Sequence, residues 1–361
     1  MTHGIHDKPS DAGRSSKEPA LDPALSKHAI TPVQITLNAV LTALDGEDPK
    51  VLCTSNQGEM ALPYGPFDPL RHRTFEIGLR EWVTQQTQVT LGYVEQLYTF
   101  GDRGREPASL GIAEGGADQQ AAFTQNHRPD ETGDHLVSVG YLALAPEPAK
   151  VGVANAQWRS WYQFFPWEDW RNGQPKILKE HILPCLHAWC AQAHAERERA
   201  IRAQRVKIAF GLEEIGWEEE RTLERLEIMY ESSLVQEAPG FKAGAFAGDI
   251  EPGLPMTADH RRILATAIGR LRGKLKYRPV IFQIMPREFT LLTLQKTVEA
   301  IIGFPMHKQN FRRSIESADM VVKTGTMSHQ SAGRPAALFS FNQEILKDRA
   351  AAGLVIPRLK R

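Results

Sequence analysis

The hydrophobic period of this chain changes near residue 158, from two to between three and four, and that switch limits the fold more than any other feature. Before it, Ile35-Thr-Leu-Asn-Ala-Val-Leu-Thr-Ala-Leu44 alternates, breaks at the turn dipeptide Asp45-Gly46 and resumes at Val51-Leu-Cys53. The pattern predicts a β-hairpin. Strands are also predicted over residues 94–100 and 135–144, with an exposed loop rich in Gly, Asp and Gln between them, and one helix over residues 73–86. A mixed sheet carrying a helix accounts for the first 150 residues. Beyond the switch, Pro184 suits a first helical turn, followed by Leu186, Trp189, Cys190 and Ala193 at helical intervals. A second stripe holds Leu223, Leu226, Tyr230 and Leu234, with Glu218, Glu219, Glu220, Glu224 and Glu227 largely off it. Residues 238–255, rich in Gly, Ala and Pro, read as a hinge, and residues 1–30 as a polar mobile leader.

With 361 residues, 42% of them hydrophobic and 24% charged, the chain has ordinary globular composition and room for two or three domains. No run approaches the ~20 apolar residues of a membrane helix, and the first 22 residues lack the apolar core of a signal peptide. Three cysteines, Cys53, Cys185 and Cys190, suit a reducing compartment. A soluble, cytoplasmic protein without membrane contact is expected. The net charge of zero conceals a division: residues 256–361 carry 19 Lys and Arg against 7 Asp and Glu, and the other 255 residues carry an acidic excess of the same size. A polyanion is the natural partner of such a basic end, unless it neutralises the acidic part of a dimer.

The basic segment has a reading-head pattern. Leu264, Ile268, Leu271 and Leu275 share one helical face, with Arg261, Arg270, Arg272 and Lys274 toward its flanks; residues 279–285 are short and β-prone. Thr290 can cap a helix that buries Leu294, Val298 and Ile301 and ends at Gly303. After Phe304-Pro305-Met306 a second helix covers residues 307–316, completing a helix-turn-helix. At about 100° per residue, Phe311 and Ile315 face one side. Gln309 and Arg313 then lie nearly opposite, flanked by Asn310 and Arg312. Amide and guanidinium groups of this kind bond adenine and guanine edges bidentately. Residues 320–323 and 336–341 form a hairpin with Gly333-Arg334-Pro335 near its tip, a wing able to place Arg334 in a minor groove. The candidate DNA contacts are Lys308, Gln309, Asn310, Arg312, Arg313, Lys323 and Arg334.

Leu62-Pro63-Tyr64-Gly65, Arg80-Glu81, Tyr93-Val-Glu-Gln-Leu-Tyr-Thr-Phe-Gly-Asp102, Val137-Ser-Val-Gly-Tyr-Leu-Ala-Leu144 and the segment 263–341 together resemble the Nudix-related transcriptional regulators of NAD metabolism. These comprise the NrtR group and the NadQ-type repressors of alphaproteobacteria. Trp161-Tyr-Gln-Phe-Phe-Pro-Trp-Glu-Asp-Trp-Arg171 and the helical middle resemble the NadQ side. The resemblance spans residues 35–341 and is most specific at Gln96 to Asp102 and at Gly333-Arg334-Pro335. It implies an α+β fold: a Nudix-like α/β/α sandwich with a helical insert, then a C-terminal winged helix-turn-helix. The expected divisions are a leader at 1–30, a sensor at 31–150, an insert and linker at 151–255, the winged domain at 256–342 and a basic tail at 343–361. The resemblance further implies a homodimeric repressor of NAD biosynthesis genes on a palindromic operator. An adenine nucleotide would set its occupancy, ATP first from the NadQ side, ADP-ribose or NAD from the NrtR side. No other cofactor is expected.

A Nudix hydrolase clusters carboxylates around Mg²⁺: a Glu ahead of an Arg-Glu pair and a Glu-Glu pair after it. Here Arg80 and Glu81 take the Arg-Glu positions, Thr84 and Gln85 the following pair, and Arg71 or His72 the upstream Glu site. Hydrolysis is therefore not expected, and Arg80 with Glu81 is expected to be a structural ion pair. The aromatic block Trp158, Trp161, Tyr162, Phe164, Phe165, Trp167 and Trp170 suits an anchor for the insert. Its rings could also stack on a purine beside Arg159 or Arg171, giving a candidate ligand set of Arg159, Trp161, Trp167, Trp170 and Arg171. His181 and Cys185 share one helical face and His187 and Cys190 another, so no zinc site is expected. Two rival readings stay open: a divergent pyrophosphatase for ADP-ribose-like substrates recruiting Glu95 or Asp102, and a nucleic-acid-binding module without an effector, using residues 347–361.

Overall fold

The structure is a computed structural model that describes residues 33–56, 58–102, 135–242, 244, 252–277, 280–328 and 335–344. The expected leader, most of the expected tail and Arg334 lie outside the described residues. A mixed sheet is built from β1 (Val33–Asp45), β2 (Asp48–Asn56), β3 (Glu59–Ala61), β4 (Tyr64–Pro66), β5 (Val94–Phe100), β6 (His135–Leu144) and β7 (Ala156–Ser160). Its order is β3-β2-β1-β6-β5, with β4 also on β1 and β7 also on β2. The hairpin closes at Asp45↔Asp48 around Gly46, whose φ of 62° suits glycine. β6 runs parallel to β1 from Val33↔His135 to Thr42↔Leu144.

β1 is buried on both faces. Its odd positions Leu37, Ala39 and Leu41 join Leu79 and Val83 of helix α1 (Phe75–Thr87) in one core. Its even positions Val40 and Leu44 join Ile263, Leu264, Ile268 and Leu271 of helix α5 (His260–Tyr277) in the other. The α/β/α sandwich is thus complete, and period-two alternation sorts the strand into two cores. Gly140 of β6 makes room for α5: a Cβ there would lie 2.9 Å from Ile263 Cγ2. Although expected at the start of the winged domain, α5 is the outer layer of the sheet, and β7, assigned by sequence to the insert, is one of its strands.

The insert continues from β7 through two 3₁₀ turns, Trp161–Gln163 and Pro166–Glu168, and a π turn, Leu178–Ile182. Helices α2 (Leu183–Ala191), α3 (Glu196–Ala209) and α4 (Thr222–Glu231) follow. The head comprises α6 (Leu291–Ile302), α7 (Lys308–Ser317) and the antiparallel pair β8 (Val321–Ser328) and β9 (Ala336–Phe341). The β-prone stretch before α6 is instead a 3₁₀ turn, Val280–Gln283. Val280, Ile281, Ile284 and Met285 are all buried there, an i, i+4 spacing that suits a helical turn better than a strand. Among the described residues no helix is long and apolar enough to cross a membrane.

Candidate nucleic-acid interface

The reading head is assembled from local signals. Thr290 Oγ1 caps α6 by accepting from Thr293 N at 3.0 Å, and Gly303, at φ 80°, ends it. The turn to α7 is fastened by side chains that the sequence reading passed over. Glu299 Oε1 accepts from Met306 N at 2.8 Å and from Gln295 Nε2 at 2.9 Å, and Gln295 Nε2 also donates to Met306 O at 2.9 Å. Both residues are buried, and that i, i+4 polar pair was the available signal.

Phe311 and Ile315 anchor α7 in the core, 1% and 0% exposed. Lys308, Gln309, Asn310, Arg312 and Arg313 are all exposed on the remaining arc, and Lys323 is exposed on β8. These six candidate contacts therefore share the solvent side of a helix and its adjoining wing. Such a face can meet phosphates with its cations and base edges with its amides.

The basic excess is organised differently from expectation. Arg261 and Arg272 are buried, not on the flanks of α5. Arg261 pairs with Glu237 at 3.1 Å, Arg262 with Glu227 at 2.6 Å, and Lys276 with Glu219 at 3.1 Å. Arg272 Nη1 lies 2.6 Å from Glu168, whose other oxygen lies 2.6 Å from Arg225 Nε. Burial alone pushes the Glu168 carboxyl up; the two guanidinium groups outweigh it and hold it below its ordinary value. Much of the positive charge in α5 thus locks the acidic insert onto the sheet within one chain, and the exposed cations of α7 and β8 remain for an external anion.

The rings of the candidate ligand set lie in the core. Trp161, Trp167 and Trp170 are buried in the core, because their apolar rings join the insert to the sheet and the head. Arg171 is held by Asp169 at 2.8 Å and lies over the Tyr162 ring, and Arg159 is half-buried on β7. Cavities of about 590 Å³ and 730 Å³ do flank the insert, the first beside Met60, Tyr230 and Met256, the second beside Glu218, Leu223 and Gly269. Neither is lined by any of those five residues.

On α1 the expected Arg80–Glu81 pair is absent. Neighbouring helical residues point about 100° apart, so each finds another partner. Arg80 Nη2 lies 2.7 Å from Glu76 Oε1. Glu81 Oε1 accepts from Arg71 Nη2 at 2.8 Å and from Gln85 Nε2 at 3.1 Å, and its Oε2 lies 3.4 Å from His72 Nε2. One carboxylate already held by a cation and an amide does not fit a divalent ion that needs several clustered oxygens. Glu95 and Asp102 are engaged as well, by Lys274 and Arg262. Burial raises the pKa of Cys185 and of Cys190.

Residues 281–341 match the family model of the NrtR DNA-binding winged helix domain. Over 88 residues the chain is 35% identical to the ADPR responsive transcriptional repressor NtrR of Acinetobacter baylyi, a match spanning 24% of this chain and 35% of that protein. The chain thus spans about a third of the length of the curated relative. Shewanella oneidensis NrtR complexed with a 27mer DNA aligns over 85% of this chain and 93% of that one, at 21% identity and a TM-score of 0.45. The NUDIX domain of that protein complexed with ADP ribose aligns over 39% and 79%, at 22% identity and a TM-score of 0.27. In this chain the segment matching the winged-helix model follows an α/β/α sandwich, with the helical insert packed on both.

Proposed function

We propose that this protein is a DNA-binding transcriptional repressor that reads a palindromic operator as a homodimer. One observation carries the reading: an NrtR-type winged helix presents Lys308, Gln309, Asn310, Arg312 and Arg313 to solvent from a helix pinned by Phe311 and Ile315. Two such helices would enter successive major grooves ~34–36 Å apart. The sandwich is the sensor, and its effector is a nucleoside diphosphate derivative of the ADP-ribose kind. The names of the A. baylyi repressor and of the S. oneidensis complex favour ADP-ribose over ATP, which the NadQ-like sequence features had placed first. Genes of NAD biosynthesis are the proposed targets. The sensor binds without hydrolysing, a reading supported by the engagement of Glu81 with Arg71 and Gln85.

An effector that prefers one arrangement of the two heads shifts the DNA-binding population. The test is a gel shift on DNA enriched by the protein from a random-sequence pool, titrated with ADP-ribose, ATP and NAD. ADP-ribose is expected to change operator occupancy at the lowest concentration; a response to ATP alone would restore the first choice. Phosphate release from ADP-ribose with Mg²⁺ would refute the hydrolytically silent sensor.

A further inference from the structure

We propose that Tyr162, Trp170 and Arg272 are positioning residues for the recognition helix, fastening the end of α6 to the sensor body so that α7 is presented in one fixed orientation. An α-helix leaves its last carbonyls without intrahelical partners. At the end of α6, groups from outside the head take two of them and the carbonyl of the cap residue Gly303. Tyr162 Oη donates to Ala300 O at 2.7 Å, Arg272 Nε to Ile301 O at 2.8 Å, and Trp170 N to Gly303 O at 2.7 Å. The three donor residues are all buried. Trp170 also stacks on Phe304, the first residue of the turn, with centroids 5.2 Å apart and planes at 21°.

Each fastening is itself braced. Arg272 and Arg225 grip the two oxygens of Glu168, and Tyr162 lies two residues past the end of β7, which pairs with β2. One turn from the α6 start, Lys296 lies 3.6 Å from Glu47 in the β1–β2 turn. The short link from Gly303 to Lys308 then carries this orientation into α7. In a dimer the separation of the two recognition helices would therefore be dictated by how the sensor bodies meet.

The inference rests on the dimeric operator reading, and its test separates the two. The full chain is assayed on DNA enriched by the wild type, with the two half-sites then moved apart by two base pairs. That insertion rotates one half-site by about 70° at 10–10.5 base pairs per turn. The wild type is expected to lose at least about tenfold in affinity. Tyr162→Phe, which keeps the ring and loses the hydrogen bond to Ala300, is expected to bind the original DNA within a few-fold of wild type but to lose less than about threefold on insertion. Arg272→Lys is expected to relax the spacing further, and thermal melts identify a variant that is merely unfolded. A Tyr162→Phe protein as strict as wild type overturns the proposal. A wild type indifferent to spacing refutes the operator reading, and this proposal with it.

Discussion

Replacing Glu168 by Gln isolates the energetics of the interior ion cluster. The substitution keeps the shape and one carbonyl acceptor but removes the carboxylate shared by Arg225 and Arg272, both 0% exposed. Each guanidinium keeps neutral acceptors: Arg225 has Ala209 O at 2.9 Å and Glu218 O at 3.0 Å, and Arg272 has Ile301 O at 2.8 Å and Glu219 O at 2.9 Å. These carbonyls soften the loss without supplying a countercharge. Removing one partner of a buried pair typically costs about 3–5 kcal/mol. The expected destabilisation is in that range, measured as the shift of the urea midpoint at unchanged slope. Replacing all three residues by apolar groups of similar volume should recover most of it, because the desolvation of three charges disappears with them. A Glu168→Gln protein within about 1 kcal/mol of wild type would show that carbonyl dipoles alone neutralise the arginines, and the reasoning would be wrong.

Three further outcomes are expected. Phe311→Ala leaves a cavity beneath the recognition helix and should cost about 3–5 kcal/mol by denaturant titration, with operator binding lost in proportion to the unfolded fraction. Glu299→Ala leaves Met306 N without its acceptor and should cost about 1–3 kcal/mol, with faster hydrogen exchange at that amide than at Gly303. His260 is buried, accepts from Leu62 N on Nδ1 at 2.9 Å, and burial pushes its pKa down to about 3. The unfolded imidazole titrates near 6.5, so between that value and about 3 the unfolded state binds the extra proton and stability falls with acidity. From pH 7 to pH 5 this single group should remove roughly 2 kcal/mol. His260→Asn should flatten that part of the stability profile, and an unchanged profile would refute the assignment.

What was legible in the sequence follows a physical divide between local and distant partners. The strands at residues 94–100 and 135–144 appear where alternation places them, and Thr290 and Gly303 bound α6 as their capping chemistry requires. In these cases the determining groups lie within a few residues. The stripe on α5 was equally visible, but an amphipathic stripe does not name what it packs against, and its partner is a sheet more than a hundred residues earlier. Arg261 and Arg272 looked like exposed flank residues for the same reason: Glu237 and Glu168, which make their burial tolerable, are distant in sequence. The aromatic block announced an anchor and, less reliably, a ligand site. Only packing separates the two, and it encloses Trp161 and Trp167 completely.

The closure of the sheet by α5 has a consequence for how the molecule can be made and cut. The strands of the sheet are finished by residue 160, yet Val40, Leu142 and Leu144 share their core with a helix that begins at His260. A nascent chain leaving the ribosome must hold one greasy side of its sheet open while another hundred residues are translated. A truncation placed before residue 260 to obtain the sensor alone would leave that side bare and yield an aggregating fragment, whereas one ending after residue 277 retains the cover.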